Sequence, residues 1–324
     1  MAVYTILGAE DVAALLTHFD VGDLIAMKGI AEGVENSNYY IETTQSRFIL
    51  TLYENRVDPA DLPFFYSLLK HLHDAECKVP RFIADREGNW LHELAGRPAC
   101  LIEFLQGVSV TRPTPEQSYS TGTALGAMHA ALADFHEVRP NSLGISAWRP
   151  LAQRCGANQL NSIHPGLADR IASECDYLEA RWPSHLPTSA IHADLFPDNV
   201  LMLGDDVTGL IDFYFACTDL RGYDFAVTHS AWCFSTDGTR FDAEVSAALL
   251  AGYQSTCPID VPTRDSLPVL LRAACLRFLL TRCYDWINTP SEAMVTRKDP
   301  LAFLRRLEFY ADDNNVAAIM GKLT

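Results

Sequence analysis

The chain has 324 residues, of which 48% are hydrophobic and 20% charged, the balance of a folded globular protein and not of a disordered or fibrous one. At about 100–200 residues per domain, this length predicts two lobes. Lys plus Arg number 25 against 41 Asp plus Glu, a formal net charge of −16; that argues against a broad nucleic-acid or anionic-membrane surface, both of which need clustered positive charge, but leaves room for one small anion held locally.

In chain order, an amphipathic helix is expected over residues 10–19, then strands over 24–30, 38–43 and 47–54, short runs rich in β-branched and aromatic side chains. A second amphipathic helix, 61–74, carries Leu62, Phe65, Leu68, Leu69 and Leu72 on one face. Strands over 90–94 and 97–104 close this section. Residues 106–115, with Gly107, Pro113 and Pro115, read as a linker. Beyond it the pattern turns helical, over 115–133, 165–182, 223–233, 243–254, 266–286 and 299–312. The exception is 189–213, where apolar runs at 199–203 and 209–213 flank turns. The expectation is therefore an α+β protein with a small β-rich lobe, residues 1–105, and a larger, mainly helical lobe, residues 106–324.

The N-terminus has no basic flank, and Glu10 and Asp11 follow it closely. The longest apolar runs are cut by Arg272 and Arg277, far short of the ~20 residues of a membrane span. Nine cysteines are scattered singly, none at C-x-x-C spacing, so reduced core thiols in a cytoplasmic protein are expected, with neither a disulfide framework nor a zinc site.

The chemistry gathers in one stretch, His192-Ala193-Asp194-Leu195-Phe196-Pro197-Asp198-Asn199, followed after a short strand and turn by Gly209-Leu210-Ile211-Asp212-Phe213. A hairpin brings Asn199 and Asp212 to neighbouring positions facing the loop that holds Asp194. One carboxylate is then placed to accept a proton, beside an amide oxygen and a second carboxylate suited to a hard divalent cation. Phosphoryl transfer asks for these parts: a loop Asp for the nucleophilic hydroxyl, and Asn with Asp for Mg²⁺ across the phosphates. The plainer alternative is turn capping by Asp and Asn. His192 reads as structural, shaping the loop. Asp224, near the first turn of a helix, suits the helix N-terminus.

The run H-A-D-L-F-P-D-N-V-L followed by L-I-D-F resembles the motif of the aminoglycoside-phosphotransferase-like kinases, small-molecule relatives of the protein kinases. Residues 29–38, 49–54, 61–65 and 276–278 resemble the homoserine kinase branch in particular. The resemblance implies a two-lobed protein-kinase-like fold and ATP-dependent phosphorylation of L-homoserine to O-phospho-L-homoserine, toward threonine, with Mg²⁺ as cofactor. It makes Asp194 catalytic, Asn199 and Asp212 metal-binding, and Asp224 a brace for the catalytic loop. The turn 29–38 would cover the ATP phosphates, with Gly33 relieving steric demand and the Ser37 hydroxyl donating. The adenine would lie at a hinge around Glu103 and Leu105.

The third strand departs from this pattern, offering Thr51 where such kinases place a Lys or Arg. Lys28 and Arg56 are the nearest cations, either of which could supply that charge, with a surface role for both as the plainer alternative. A pocket for homoserine calls for an Arg at the carboxylate and an acceptor at the ammonium; Arg277 or Arg282, two charges in an apolar helix, and Glu35 are the candidates. Expected partners are ATP and the small-molecule substrate, with no nucleic acid and no membrane, and a monomer or homodimer. Two alternatives stay open: a kinase for another small alcohol, of aminoglycoside or choline type, and a catalytically inactive kinase fold.

Overall fold

Alternation decides the first hundred residues. Along β2 (Ser37–Thr43), Ser37, Tyr39, Ile41 and Thr43 turn inward and the residues between them outward, the period of a half-buried strand. A computed structural model of the chain describes residues 4–30, 36–54, 57–289 and 297–322. It divides into two compact units, Met1–Gln106 and Gly107–Thr324.

In the first unit, β2 pairs antiparallel with β1 (Leu24–Ile30) and β3 (Arg47–Leu52). Beyond β3 lie β5 (Arg97–Glu103) and β4 (His92–Leu94), completing a five-stranded sheet of order β1-β2-β3-β5-β4. The helix α1 (Ala9–Leu16) lays Val12, Leu15 and Leu16 on Tyr39, Ile41, Leu50 and Leu101 of the sheet. Each such buried side chain contributes about 1.5–3 kcal/mol. The second helix, α2 (Leu62–Asp74), buries the expected stripe of Leu62, Phe65, Leu68, Leu69 and Leu72, with Phe64 added.

The second unit is helical around two small two-stranded sheets. Helix α3 (Pro115–Ala131) starts on a capping box between Thr114 and Gln117. It is followed by α4 (Ile145–Cys155), α5 (Ala157–Ile163) and α6 (Leu167–Arg181). Then come β6 (Thr188–Ile191), β7 (Val200–Leu203), β8 (Asp206–Leu210) and β9 (Cys217–Leu220); β6 pairs with β9 and β7 with β8, both antiparallel. Among the described residues, five helices follow: α7 (Arg221–Trp232), α8 (Ala243–Thr256), α9 (Val261–Asn288), α10 (Leu301–Ala311) and α11 (Asp313–Met320). Where α3 crosses α8, a Cβ on Gly122 would strike the Leu249 carbonyl and one on Gly252 the Tyr119 carbonyl, so the backbones meet without side chains between them.

The fold is the expected α+β, kinase-like one. Three helices, α4, α5 and α11, and the pairing of β6 with β9 were not foreseen. Pro150 lies inside α4, with Gly144 and Gly156 at its ends, residue types that ordinarily punctuate loops. Among the described residues no helix is long and apolar enough to cross a membrane, and all nine cysteines are free, eight of them buried.

Candidate active site

The stretch between β6 and β7 has no regular structure until a single turn of 3₁₀ helix at Pro197–Asn199. Two elements of the second unit shape it. From α7, the fully buried Asp224 accepts the amide hydrogens of His192 (2.8 Å) and Ala193 (2.7 Å) and a bond from His129 Nε2 (2.9 Å). Burial opposes ionisation of Asp224, but the bond and charge of His129, with the amide and ring of His192, hold its carboxyl below the usual carboxylate range. From the β7–β8 hairpin, the Ile211 carbonyl faces His192 Nε2 at 3.0 Å. Because His192 Nδ1 accepts the Asp194 amide hydrogen (3.2 Å), Nε2 is the protonated nitrogen; burial keeps the ring neutral by lowering its pKa. Phe213 packs on that ring with centroids 4.5 Å apart.

Ala193 then takes φ +63°, a left-handed conformation that costs a non-glycine residue about 1 kcal/mol. The turn it makes presents Asp194, whose side chain is 19% exposed and so within reach of a ligand. Asn199 closes the loop by donating Nδ2 to the Asp194 carbonyl (2.8 Å) and to its carboxylate (3.3 Å). Burial pushes the Asp194 carboxyl up to about 7; Arg277 and Lys298 work against this, while the carboxylates of Asp212 and Asp198 add to it.

The Ile211 amide donates to the Asn199 carbonyl at 3.0 Å, so the hairpin sets Asp212 one residue beyond the partner of Asn199. Asp212 is exposed and also left-handed, at φ +66°. Two strained non-glycine residues within one site are characteristic of functional loops. With Nδ2 of Asn199 spent on Asp194, its Oδ1 is left as an acceptor, and the backbone pairing of Ile211 with Asn199 brings Asp212 to the neighbouring position. Both are hard oxygen donors that fit Mg²⁺. Among the described residues no three His, Cys, Asp or Glu side chains gather into a metal cage; Mg²⁺ typically takes one or two carboxylates and fills its shell with substrate phosphates and water.

The other predicted residues fall differently. Arg277, expected at a substrate carboxylate, is buried behind the loop, with Nη1 2.5 Å from the Ala193 carbonyl and 3.6 Å from Asp194 Oδ1. Arg282 donates to the Asp299 carbonyl (3.2 Å) and lies 4.5 Å over the Phe303 ring. Burial, reinforced by Arg306, pushes its pKa down to about 10. Ser37, expected to donate to phosphate, is turned into the first unit: Oγ accepts the amides of Tyr4 (2.8 Å) and Thr5 (3.0 Å) and donates to Glu54 (2.7 Å). Its place on the inward face of β2 is the reason, and it leaves no hydroxyl for a nucleotide. Thr51 is buried and donates to Asn38 Oδ1 (2.8 Å), so it holds the sheet together. Lys28 is exposed on β1 opposite Tyr40. Glu103 ends β5, its amide donating to the Arg81 carbonyl (2.9 Å), and Leu105 is half-buried just after it. Gly33, Glu35 and Arg56 lie outside the described residues.

Sequence reasoning missed His129, whose ring bridges Asp224 and the Tyr253 hydroxyl (2.8 Å); Trp232, more a core residue than a pocket one in the sequence, donates Nε1 to the Leu195 carbonyl (3.0 Å). Both act across long separations in the chain, and an isolated His or Trp on a helix carries no local mark of that.

A β-sheet unit, a helical unit and a loop of this form define a kinase-like phosphotransferase. A family model described as "Phosphotransferase enzyme family" matches residues 26–259. The chain is similar to a homoserine kinase of Zymomonas mobilis, 50% identical over 313 residues that cover 96% of this chain and 98% of the relative. In structure it resembles a spectinomycin phosphotransferase in complex with ADP and spectinomycin, with TM-score 0.67, 14% identity and coverage of 98% and 99% of the two chains. An amicoumacin kinase in complex with AMP-PNP and Ca²⁺ superposes with TM-score 0.69 at 14% identity, over 95% and 94%. The chain belongs to the phosphotransferase enzyme family, in the branch that holds the homoserine kinases.

Proposed function

We propose that the chain transfers the γ-phosphoryl group of ATP to the side-chain hydroxyl of L-homoserine, forming O-phospho-L-homoserine and ADP. The observation that carries this reading is 50% identity over nearly the whole chain to a homoserine kinase, combined with a loop built to present Asp194. The homoserine oxygen bonds to the γ-phosphorus as the bond to the β-phosphate oxygen breaks, and the hydroxyl proton passes to the Asp194 carboxylate. A carboxyl raised to about 7 suits that task, since a general base works best near the operating pH.

Asn199 and Asp212 hold Mg²⁺ in this reading, and when bound the ion neutralises charge on the transferring phosphates. His192 and Asp224 keep the loop in shape. Arg282 is the choice for the homoserine carboxylate: it is a half-buried cation on the same helix as Arg277, and it senses the charges of Asp194 and Asp198. Lys28 and Arg56 supply positive charge to the phosphates, the turn at Gly33 wraps them, Glu35 faces the ammonium, and the main chain at Glu103 and Leu105 holds the adenine. The protein works in the cytoplasm, on a route to threonine, as a monomer or homodimer.

The test is ADP release from Mg·ATP across homoserine, choline and an aminoglycoside. Homoserine is expected to be turned over with a kcat/KM far above the others; silence with homoserine beside turnover of another alcohol overturns the reading.

A further inference from the structure

Two arginines of α9 are buried in unlike ways. Arg272 makes a two-pronged pair with the buried carboxylate of Glu174 on α6, at 2.7 and 2.8 Å, the ordinary resolution of a buried guanidinium. Arg277, only 3% exposed, has no such partner. Its guanidinium lies over Phe278 (4.1 Å) and Phe215 (5.3 Å), and its Nη1 is directed at two oxygens of the loop, the Ala193 carbonyl at 2.5 Å and Asp194 Oδ1 at 3.6 Å. Among the described residues Asp194 is the carboxylate within ion-pair distance of it.

The carbonyl it grips belongs to the residue with φ +63°. Ala193 is thus held from both sides, by Asp224 at its amide and Arg277 at its oxygen. The Asp194 carboxylate is flanked likewise, by the Asn199 amide and by the guanidinium. Burying a charge without a full partner is costly, and so is a left-handed alanine; both are tolerated where they define a loop geometry. Arginine suits the place because its rigid planar head, set against two aromatic rings, holds Nη1 toward both oxygens, whereas a lysine ammonium is a point charge on a flexible stem.

We propose that Arg277 is a positioning residue for phosphoryl transfer: it clamps the Ala193 carbonyl beside the Asp194 carboxylate and so holds the reactive loop in its strained, aimed conformation. The inference rests on the kinase reading above, and it assigns Arg277 to the loop and not to the substrate. Loss of the clamp lets Asp194 drift without altering the pockets for nucleotide or acceptor. A misplacement of about 1 Å at a reacting group costs on the order of 100-fold in rate.

The experiment compares Arg277→Met and Arg277→Lys with wild type in steady-state ADP release, with homoserine and with water alone as acceptor, alongside thermal unfolding. The expected result for Arg277→Met is a kcat lower by about 100-fold, with KM for ATP and homoserine within about threefold of wild type. Arg277→Lys, reaching one oxygen of the two, should fall between. If the Met variant does not fold, the Lys variant carries the test with the same kcat-against-KM split. The water reaction should decline in step, so the clamp is read even if homoserine is the wrong acceptor; that error shows in the wild type's acceptor preference alone. The proposal is overturned if either variant keeps kcat within about threefold of wild type, or if homoserine KM rises about tenfold while kcat is retained, the mark of a substrate contact.

Discussion

Replacing Asp224 by Asn removes one acceptor from a carboxylate that serves three buried donors. Oδ1 accepts Ala193 N–H, while Oδ2 accepts His192 N–H and faces His129 Nε2. The amide oxygen of Asn serves its best purpose by keeping the latter two, which turns the new NH₂ toward the Ala193 N–H. One buried donor is then unsatisfied and opposed by another donor, and the remaining bonds lose their charge. At about 1–3 kcal/mol for an unsatisfied buried group and about 1 kcal/mol for weakened charge-assisted bonds, the loss is about 2–4 kcal/mol. For a unit of this size that lowers Tm by roughly 4–16 °C. Because the orphaned amide belongs to the left-handed residue beside Asp194, kcat should fall by on the order of 100-fold as well. Asp224→Ala orphans all three donors at about 1–3 kcal/mol each, enough to threaten a total stability of roughly 5–15 kcal/mol. Thermal unfolding monitored by circular dichroism, together with ADP release, reads both effects. An Asn variant that melts within a degree of wild type and keeps full kcat would refute the bracing role.

Three further outcomes are expected. Ser37→Ala, which strips Tyr4, Thr5 and Glu54 of their shared partner, should lower stability by about 1–3 kcal/mol in urea titration while KM for ATP stays unchanged; a raised KM with intact stability would return Ser37 to the nucleotide. His229, bonded to Tyr310 and Ser246, is lowered by burial to about 3 against about 6.5 unfolded, so its neutral form contributes stability in full above pH 6.5 and loses it progressively as pH falls toward 3. At pH 5 that amounts to about 2 kcal/mol lost relative to pH 7.5, and His229→Gln should flatten this slope in unfolding measured at the two pH values; an unaltered slope contradicts the assignment. Gly122→Ala pushes a methyl into the Leu249 carbonyl and should cost about 1–3 kcal/mol by overpacking, visible as a lowered Tm; an unchanged Tm would mean that α3 and α8 separate freely.

The fold was legible wherever periodicity speaks. The sheet strands and α2 announced themselves by alternation and by an apolar stripe, because each buries one face against a local neighbour. Helix α4 was hidden by Pro150, although Trp148, Leu151 and Cys155 are buried on it. The partner of β6 lies some thirty residues away in β9, and strands of four residues carry too little pattern to pair on paper. At the site, Asp194, Asn199 and Asp212 stood out because a single hairpin brings them near one another. Ser37 was misread from its motif, though its parity with Tyr39 and Ile41 already placed it inward. Arg277 stood out as a charge in an apolar helix; what it grips, 84 residues away in the chain, depends on how α9 packs and not on any local spacing.

The central claim is that Asp194 serves the transfer of a phosphoryl group to homoserine. The direct measurement is ³¹P NMR of Mg·ATP and L-homoserine incubated with wild type and with Asp194→Asn, the variant checked for an unaltered fold by circular dichroism. The account predicts a phosphomonoester resonance of O-phosphohomoserine growing with ADP in the wild type, and a rate lower by about 1,000-fold or more in the variant. A phosphomonoester formed equally fast by Asp194→Asn, or none formed by the wild type, would contradict it.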